Sequence, residues 1–139
     1  MIILDTDVLS DLMRQAGDPA VVGWLDRQSR FSVWTTSITI LEIRFGMALL
    51  PFGARRTQLE NAFERMVAEK IEERIVPFDT SAAEATAILM ADRRQAGRQG
   101  ELRDTMIAGI AIARRATLAT RNRRHFDDLS VPVVNPWTD

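Results

Sequence analysis

The chain has 139 residues, a formal net charge of −1 and neither cysteine nor tyrosine, and its single histidine is His125. This composition excludes disulfides, thiolate zinc sites, cysteine nucleophiles and clusters of histidine ligands, and it disfavours a Ser-His-Asp triad. Any chemistry must therefore depend on carboxylates, hydroxyls, amides and arginine. The length predicts one domain, residues 1–139, that is stable without disulfides. Because acids interrupt the apolar N-terminus and no stretch approaches a membrane span, we expect a soluble cytoplasmic protein.

The N-terminal residues predict a strand followed directly by a helix. Ile2–Leu4 is a short apolar run containing β-branched residues, which is typical of a strand buried on both faces. The run stops at Asp5, and the apolar residues of Val8–Met13 then fall at helical spacing. Taken alone, Asp5 and Asp7 are explained most simply as residues that cap this helix and complement its dipole.

The rest of the chain alternates predicted helices and strands. In chain order we predict a helix from Asp18-Pro19, a strand over 31–35, a helix from Ser37 or Thr39 to about Leu50, a helix over 54–71, a strand over 75–78, a helix from Asp79 or Thr80 to about Gln95, a helix from about Arg103, and strands over 117–120 and 131–134. Strands that alternate with helices pair in parallel through right-handed crossovers. We therefore predict a three-layer α/β/α domain with a mainly parallel sheet of four to five short strands.

Two predicted helices have apolar stripes that bear on packing. In the helix that ends near Leu50, the predicted core residues are Ile38, Leu41, Phe45, Ala48 and Leu49. The helix over 54–71 is amphipathic, and its apolar stripe fits either ordinary core packing or the docking of a partner protein.

Four segments of the chain are predicted to bring polar groups to one edge of the sheet. Crossover helices run antiparallel to their strands, so helix starts and strand ends share that edge, where α/β proteins bind ligands. The groups are Asp5 after the first strand, Glu42 early in the helix after the second, Asp104 at the start of the helix before the fourth, and Thr120-Arg121-Asn122 after the fourth. Singly, Asp104 is explained as a helix cap, Glu42 as a solvated residue and Asn122 as a turn residue.

Together, the three carboxylates suggest a metal site. Carboxylates in one cleft repel each other unless they are protonated or neutralised by a cation. Oxygen ligands without histidine or cysteine favour Mg²⁺ or Mn²⁺. Such ions activate water and bind phosphoryl oxygens, so the pattern favours phosphodiester hydrolysis.

A local excess of positive charge lies between residues 93 and 124. This segment contains two acids, Glu101 and Asp104, against nine arginines, which are Arg93, Arg94, Arg98, Arg103, Arg114, Arg115, Arg121, Arg123 and Arg124. The excess fits a surface that binds nucleic-acid phosphates and fits a solvated face equally well.

The chain resembles the PIN-domain family, in particular the VapC-type ribonuclease toxins of bacterial toxin–antitoxin pairs. The segments that carry the resemblance are Leu4–Ser10, Thr36–Gly46, Asp104–Ala108 and Leu118–Asn122, and the ending Val134–Trp137 is similar to that of the FitB-like branch. These segments span the chain in the expected order. The resemblance implies a metal-dependent endoribonuclease, active as a homodimer and bound to a small DNA-binding antitoxin on operator DNA.

The resemblance also implies roles for individual residues. Asp5, Glu42 and Asp104 would hold the metal, Thr120 and Asn122 would complete the catalytic pocket, and Thr6 would help to fix the Asp5 loop. Some relatives have aspartate where this chain has Asn122, and others keep asparagine there with aspartate three residues on, where this chain has His125. This departure predicts a weaker metal site, with His125 structural or facing RNA rather than bound to metal.

Two other classes of protein fit the sequence less well. A receiver-like phosphoacceptor domain needs a lysine near the phosphate, and the only lysine, Lys70, precedes the third predicted strand. A nucleotide switch needs a Gly-rich phosphate loop, which the sequence lacks. The remaining alternative is a non-catalytic PIN-like protein whose acids bind an arginine of its antitoxin partner in a DNA-binding complex.

Overall fold

The computed structural model describes all residues, 1–139, and contains five strands, six α-helices and three short 3-10 or π-helical segments. The strands are β1 (Ile2–Leu4), β2 (Val33–Thr36), β3 (Ile75–Val76), β4 (Thr117–Ala119) and β5 (Val133–Val134). The helices are α1 (Thr6–Met13), α2 (Pro19–Asp26), α3 (Ser37–Ala48), α4 (Ala54–Arg65), α5 (Thr80–Gln95) and α6 (Leu102–Arg114). No helix combines the length and the apolar character that crossing a bilayer requires.

The five strands form one parallel sheet in the order β3-β2-β1-β4-β5. The predicted α/β/α fold with a parallel sheet is therefore confirmed. From β1 the chain builds outward through β2 and β3, and it then crosses back to add β4 and β5 on the other side. The strand order reverses between β1 and β4, and the crevice at such a reversal is where open α/β sheets bind ligands.

Apolar cores cover both faces of the sheet. Because side chains alternate along a strand, the neighbours Ile3 and Leu4 enter different cores, and both are fully buried. Leu4 packs in the core that includes Val8 of α1, and Ile3 packs in the core that includes Ile107 of α6. β1 is thus buried on both faces, as its apolar run predicts, and this fixes the position of the residue that follows it.

The predicted core stripe of α3 is wrong except at Ile38. The buried residues of this helix are Ile38, Thr39, Ile43 and Met47, whereas Leu41, Phe45, Ala48 and Leu49 are exposed. The helix carries apolar residues around most of its circumference, so their spacing does not indicate which side faces the sheet. Together with Phe52, the exposed residues Leu41, Phe45 and Leu49 form an apolar surface that we call the α3 stripe.

Several element ends also differ from the prediction. The residue that caps α3 is Thr36, whose Oγ1 accepts a hydrogen bond from the N–H of Thr39 at 3.1 Å, rather than Ser37 or Thr39 itself. The helix predicted over 54–71 is α-helical to Arg65 and continues as a π-helical turn over Met66–Ile71. Asp18 and Asp79 cap α2 and α5 as predicted.

Candidate active site

Asp5 lies at the junction of β1 and α1 and is 6% exposed. Its backbone N–H donates to the carbonyl oxygen of Ala119 at 3.0 Å, which ties it to β4 across the reversal in strand order. Its side chain caps α1, since Oδ1 accepts a hydrogen bond from the N–H of Val8 at 3.1 Å. The cap uses one carboxylate oxygen, so capping and a role at the sheet edge are compatible.

Glu42 is held in place from the first helix. The Thr6 hydroxyl donates to Glu42 Oε1 at 2.7 Å, and the Thr39 hydroxyl lies 3.3 Å from that of Thr6. Thr6 therefore reaches from α1 to α3, a contact beyond the Asp5 loop to which the resemblance assigns it. Glu42 is half-buried, so its orientation depends on this hydrogen bond.

Asp104 lies in the first turn of α6 but does not cap the helix. The cap is Glu101, whose Oε2 accepts a hydrogen bond from the N–H of Asp104 at 2.9 Å. The interpretation of Asp104 as a cap is therefore wrong. Its half-buried carboxylate lies 3.9 Å from Nδ1 of His125.

Thr120 and Asn122 have different places in the site. Thr120 is fully buried, and its hydroxyl accepts a hydrogen bond from the N–H of Asn122 at 3.1 Å. Thr120 therefore does not line the cavity, and it acts on the site by holding the backbone of Asn122. Asn122 is exposed, and its Nδ2 donates to Oδ2 of Asp7 at 3.0 Å.

These groups surround one cavity of about 320 Å³ at the carboxyl edge of the sheet. The residues that line it are Asp5, Thr6, Asp7, Glu42, Glu101, Arg103, Asp104, Asn122 and Phe126. The fold thus brings together Asp5, Glu42, Asp104 and Asn122, which the sequence places on one edge. Asp7 and Glu101 were not predicted as site residues, because acids near helix starts are usually explained by capping, and Arg103 was counted only in the basic excess. The signal for Asp7 was its position two residues after Asp5.

Negative charge dominates this cavity. Burial raises the pKa of Asp5 to about 7, and the negative charges of Asp7 and Asp104 raise it further. Hydrogen bonding by Thr120 and Val8 lowers this pKa but does not outweigh burial. Burial likewise raises the pKa of Asp104, with contributions from Glu101 and Glu42. The one basic side chain among the lining residues is Arg103, whose Nε lies 3.2 Å from Glu101 Oε1 and 3.8 Å from Glu42 Oε2. A cation in the cavity would relieve this repulsion.

The donor set fits a hard divalent ion, although the carboxylates are spread out. All candidate ligands are carboxylate or amide oxygens, which suit Mg²⁺ or Mn²⁺. No group of three acids is close enough to surround an ion in the described arrangement. Mg²⁺ usually keeps several waters and is bound through one or two carboxylates, so a spread set still fits it.

Most of the predicted basic excess is neutralised within the chain. Five of the nine arginines pair with acids: Arg93 with Asp128, Arg98 with Asp127, Arg103 with Glu101, Arg114 with Asp79 and Arg123 with Asp139. Arg121 stacks on the ring of Trp137 at 4.8 Å. Among the others, Arg124 lines a cavity of about 290 Å³ that it shares with Asp104 and His125. The cationic surface next to the acids is therefore smaller than the sequence suggests.

Comparisons with known proteins agree over the whole chain. A family model described as PIN domain matches residues 2–131. The chain is 37% identical over 137 residues to the VapC ribonuclease Y4jK of Sinorhizobium fredii, covering 99% of this chain and 98% of that protein. It is 34% identical over 139 residues to the toxin FitB of Neisseria gonorrhoeae, with full coverage of both. Among solved structures, FitAB bound to an IR36 DNA fragment superposes with a TM-score of 0.89 at 34% identity, covering 100% of this chain and 97% of that one.

Proposed function

The chain belongs to the PIN domain family, and on this premise we propose that it is a metal-dependent endoribonuclease and the toxin of a type II toxin–antitoxin pair. The observation that carries the proposal is the acid-lined cavity at the carboxyl edge of β1, in a chain 37% identical to a relative named as a VapC ribonuclease. The reaction is hydrolysis of an RNA phosphodiester bond. Residues 1–139 act as a single domain.

In this proposal, Asp5, Glu42 and Asp104 hold Mg²⁺ or Mn²⁺. An ion held there would supply the Lewis acidity that activates water for attack on phosphorus and would neutralise charge on the phosphate oxygens. Thr6 keeps Glu42 aimed at the cavity through its 2.7 Å hydrogen bond. Thr120 contributes indirectly, because its hydroxyl accepts a hydrogen bond from the backbone N–H of Asn122.

An antitoxin partner is part of the proposal. FitAB, the neighbour of similar structure, is bound to DNA in its own complex, and we propose a comparable small DNA-binding antitoxin for this chain. An arginine of that antitoxin would neutralise the clustered acids through a charge-assisted hydrogen-bonded pair. Arg103 beside Glu101 shows that the rim of the cavity accommodates a guanidinium group. The toxin–antitoxin complex would bind operator DNA as a hetero-oligomer.

A homodimer is also proposed, and the α3 stripe supports it. Leu41, Phe45 and Leu49 are 51%, 54% and 70% exposed, and Phe52 is 90% exposed. Soluble monomers rarely expose large contiguous apolar surfaces. The four side chains are uncharged, and the Arg56 guanidinium that lies 4.4 Å from the centre of the Phe52 ring is paired with Glu60, so a second copy can pack against the same surface with little like-charge repulsion. This surface replaces the 54–71 segment as the docking candidate, because the apolar residues Phe63, Met66 and Ile71 are buried in the core.

The non-catalytic alternative has one observation in its favour. The acids do not form a compact three-carboxylate ligand set, while Arg103 already lies near two of the carboxylates. In that alternative the cavity is only a docking site for an arginine of the partner.

Cleavage assays with purified protein separate the two functions. We expect Mg²⁺- or Mn²⁺-dependent RNA cleavage that Asp5→Asn or Asp104→Asn abolishes while the circular dichroism spectrum stays unchanged. Sequencing the 5′ ends of cellular RNA after induction then identifies the RNA. If either variant cleaves RNA at the wild-type rate at saturating metal, the assignment of that residue to the site is wrong. Absence of cleavage by the wild type would favour the non-catalytic alternative.

A further inference from the structure

We propose that Asp7 supplies the fourth carboxylate of the metal site, and that Asn122 is the residue that positions it. The inference rests on the proposed function, since it concerns the same metal. Some relatives have an aspartate where this chain has Asn122, and we assign the role of that carboxylate to Asp7, which lies 115 positions away in the chain.

The position of Asp7 fits a ligand. It lies in the first turn of α1, two residues after Asp5, and lines the same cavity as Asp5, Glu42 and Asp104. One oxygen, Oδ2, accepts the hydrogen bond from Asn122, and Oδ1 accepts none from the chain. One carboxylate oxygen therefore remains for a cation or for a water bound to it.

Helix capping does not explain Asp7. The cap of α1 is Asp5, whose Oδ1 accepts the hydrogen bond from the N–H of Val8. The Asp7 side chain accepts no hydrogen bond from any backbone N–H of its helix. Its partner comes instead from the segment after β4, on the other side of the cavity.

The contact between Asp7 and Asn122 has a defined direction. A carboxylate only accepts hydrogen bonds, so the asparagine must present its NH₂ group to Asp7. The backbone of Asn122 is held by the Thr120 hydroxyl at 3.1 Å, which limits the movement of the side chain. An aspartate at position 122 would instead place two carboxylates in contact. The asparagine therefore suits the presence of Asp7.

Arg103 is the only basic side chain among the residues that line the acid cavity. Asp5 is 6% exposed and pairs with no basic side chain. Asp7 lines the same cavity as Asp5 and Asp104. An ion held by Asp5 and Asp104 would therefore be attracted by Asp7 as well.

Titration calorimetry with Mn²⁺ tests this assignment on the full-length protein. We expect Asp7→Asn to weaken Mn²⁺ binding at least about 10-fold, because loss of a group that only supports a metal ligand already costs about 10- to 100-fold. The matched control is Asp26→Asn, because Asp26 is an exposed acid outside the cavity. This variant should bind Mn²⁺ with the affinity of the wild type. The variant with both Asp7→Asn and Asn122→Asp exchanges the two groups and keeps the total charge, so it should regain most of the lost affinity.

The outcomes separate this inference from the proposed function. Wild-type affinity in Asp7→Asn, together with loss of binding in Asp5→Asn, would overturn the role of Asp7 and leave the ribonuclease proposal standing. Absence of Mn²⁺ binding in the wild type would overturn both. Failure of the exchanged variant to bind better than Asp7→Asn would show that the charge at position 122 cannot replace that of Asp7, and it would overturn the pairing. A rise in melting temperature with Mn²⁺, measured on each variant, gives a second readout.

Discussion

Arg93 binds Asp128 through two parallel hydrogen bonds, Nε to Oδ2 at 2.8 Å and Nη2 to Oδ1 at 3.0 Å. The same guanidinium donates to the Thr105 hydroxyl at 3.1 Å and to the carbonyl oxygen of His125 at 2.9 Å. Arg93 is 4% exposed, so it is a buried connection between α5, the first turn of α6 and the turn after β4. These last two elements carry Asp104 and Asn122, and the geometry of the cavity thus depends on a residue outside it.

We expect Arg93→Met to lower the free energy of unfolding by about 2 kcal/mol, because it removes the hydrogen bonds of a buried guanidinium to the Thr105 hydroxyl and the His125 carbonyl oxygen as well as its pair with the more exposed Asp128. Urea unfolding monitored by circular dichroism measures this. The control is Arg114→Met, which breaks a pair with Asp79 whose side chains are 41% and 42% exposed, and its effect should stay below about 1 kcal/mol. Equal effects of the two substitutions would contradict the role assigned to Arg93.

The raised pKa of Asp5 predicts a pH-dependent stability in the absence of metal. The fold favours the protonated carboxyl, so this stabilisation is fully present below the ordinary pKa of 3.8 and is lost as the pH rises through about 7. Asp5→Asn should therefore be more stable than the wild type at pH 8, by at most about 4 kcal/mol, since each tenfold change in proton affinity is worth about 1.4 kcal/mol. The difference should shrink toward pH 4. Thermal melts of both proteins between pH 4 and pH 8 check this. A difference in melting temperature that does not change with pH would contradict the prediction.

Salt dependence tests the contacts with RNA. From the sequence alone, Arg121 and Arg123 are candidates, but Arg123 pairs with Asp139 while Arg124 makes no ion pair and lies in a cavity beside Asp104. We expect the joint substitution Arg121→Ala and Arg124→Ala to reduce the slope of log K against log salt by up to about 1.4, because each phosphate contact to a single strand contributes about 0.7.

Fluorescence anisotropy of labelled single-stranded RNA measures this slope. All proteins in the assay carry Asp104→Asn, because this substitution is expected to prevent cleavage of the RNA. The control is Arg114→Ala, because Arg114 lies at the C-terminal end of α6, away from the acid-lined cavity. Its partner, Asp79, does not line that cavity. A slope that the double substitution leaves unchanged would favour a solvated face over an RNA-binding surface.

The proposed dimer can be tested on the α3 stripe. Phe45→Glu places a charge in an apolar contact between two copies, and we expect it to convert a dimer into a monomer in multi-angle light scattering. Because Phe45 is 54% exposed in the single chain, the melting temperature of the monomer itself should change little. A monomeric wild type that also fails to bind the product of the neighbouring upstream gene would contradict the proposed partners.

The departure at position 122 has a consequence for metal affinity and stability. Asn122→Asp adds a carboxylate 3.0 Å from that of Asp7 and removes a hydrogen bond. We expect tighter Mn²⁺ binding, because the added negative charge outweighs the loss of the contact that positions Asp7, and a lower melting temperature without metal, because the two carboxylates then repel each other. His125→Ala should change Mn²⁺ affinity little, since His125 does not line the acid cavity. Calorimetry and metal-free melts check both statements, and loss of binding in His125→Ala would show that His125 is a ligand.

Much of the fold follows from local features of the sequence. The apolar run of β1, the alternation of strands with helices and the capping residues Asp18 and Asp79 each depend on a few neighbouring residues. The parallel topology follows because crossover helices force it, and it carries Asp5, Glu42 and Asp104 to one edge of the sheet. The chain order of the segments was therefore enough to predict both the fold and the edge at which the acids lie.

Only the tertiary structure decided which groups meet. The α3 helix is apolar on most sides, so its buried face depends on where the sheet lies, and the packing of Ile43 and Met47 leaves the α3 stripe outside. Asn122 contacts Asp7 and Arg93 contacts Asp128 across 115 and 35 positions of the chain. Contacts at such separations have no local pattern, because they exist only after distant elements pack against one another.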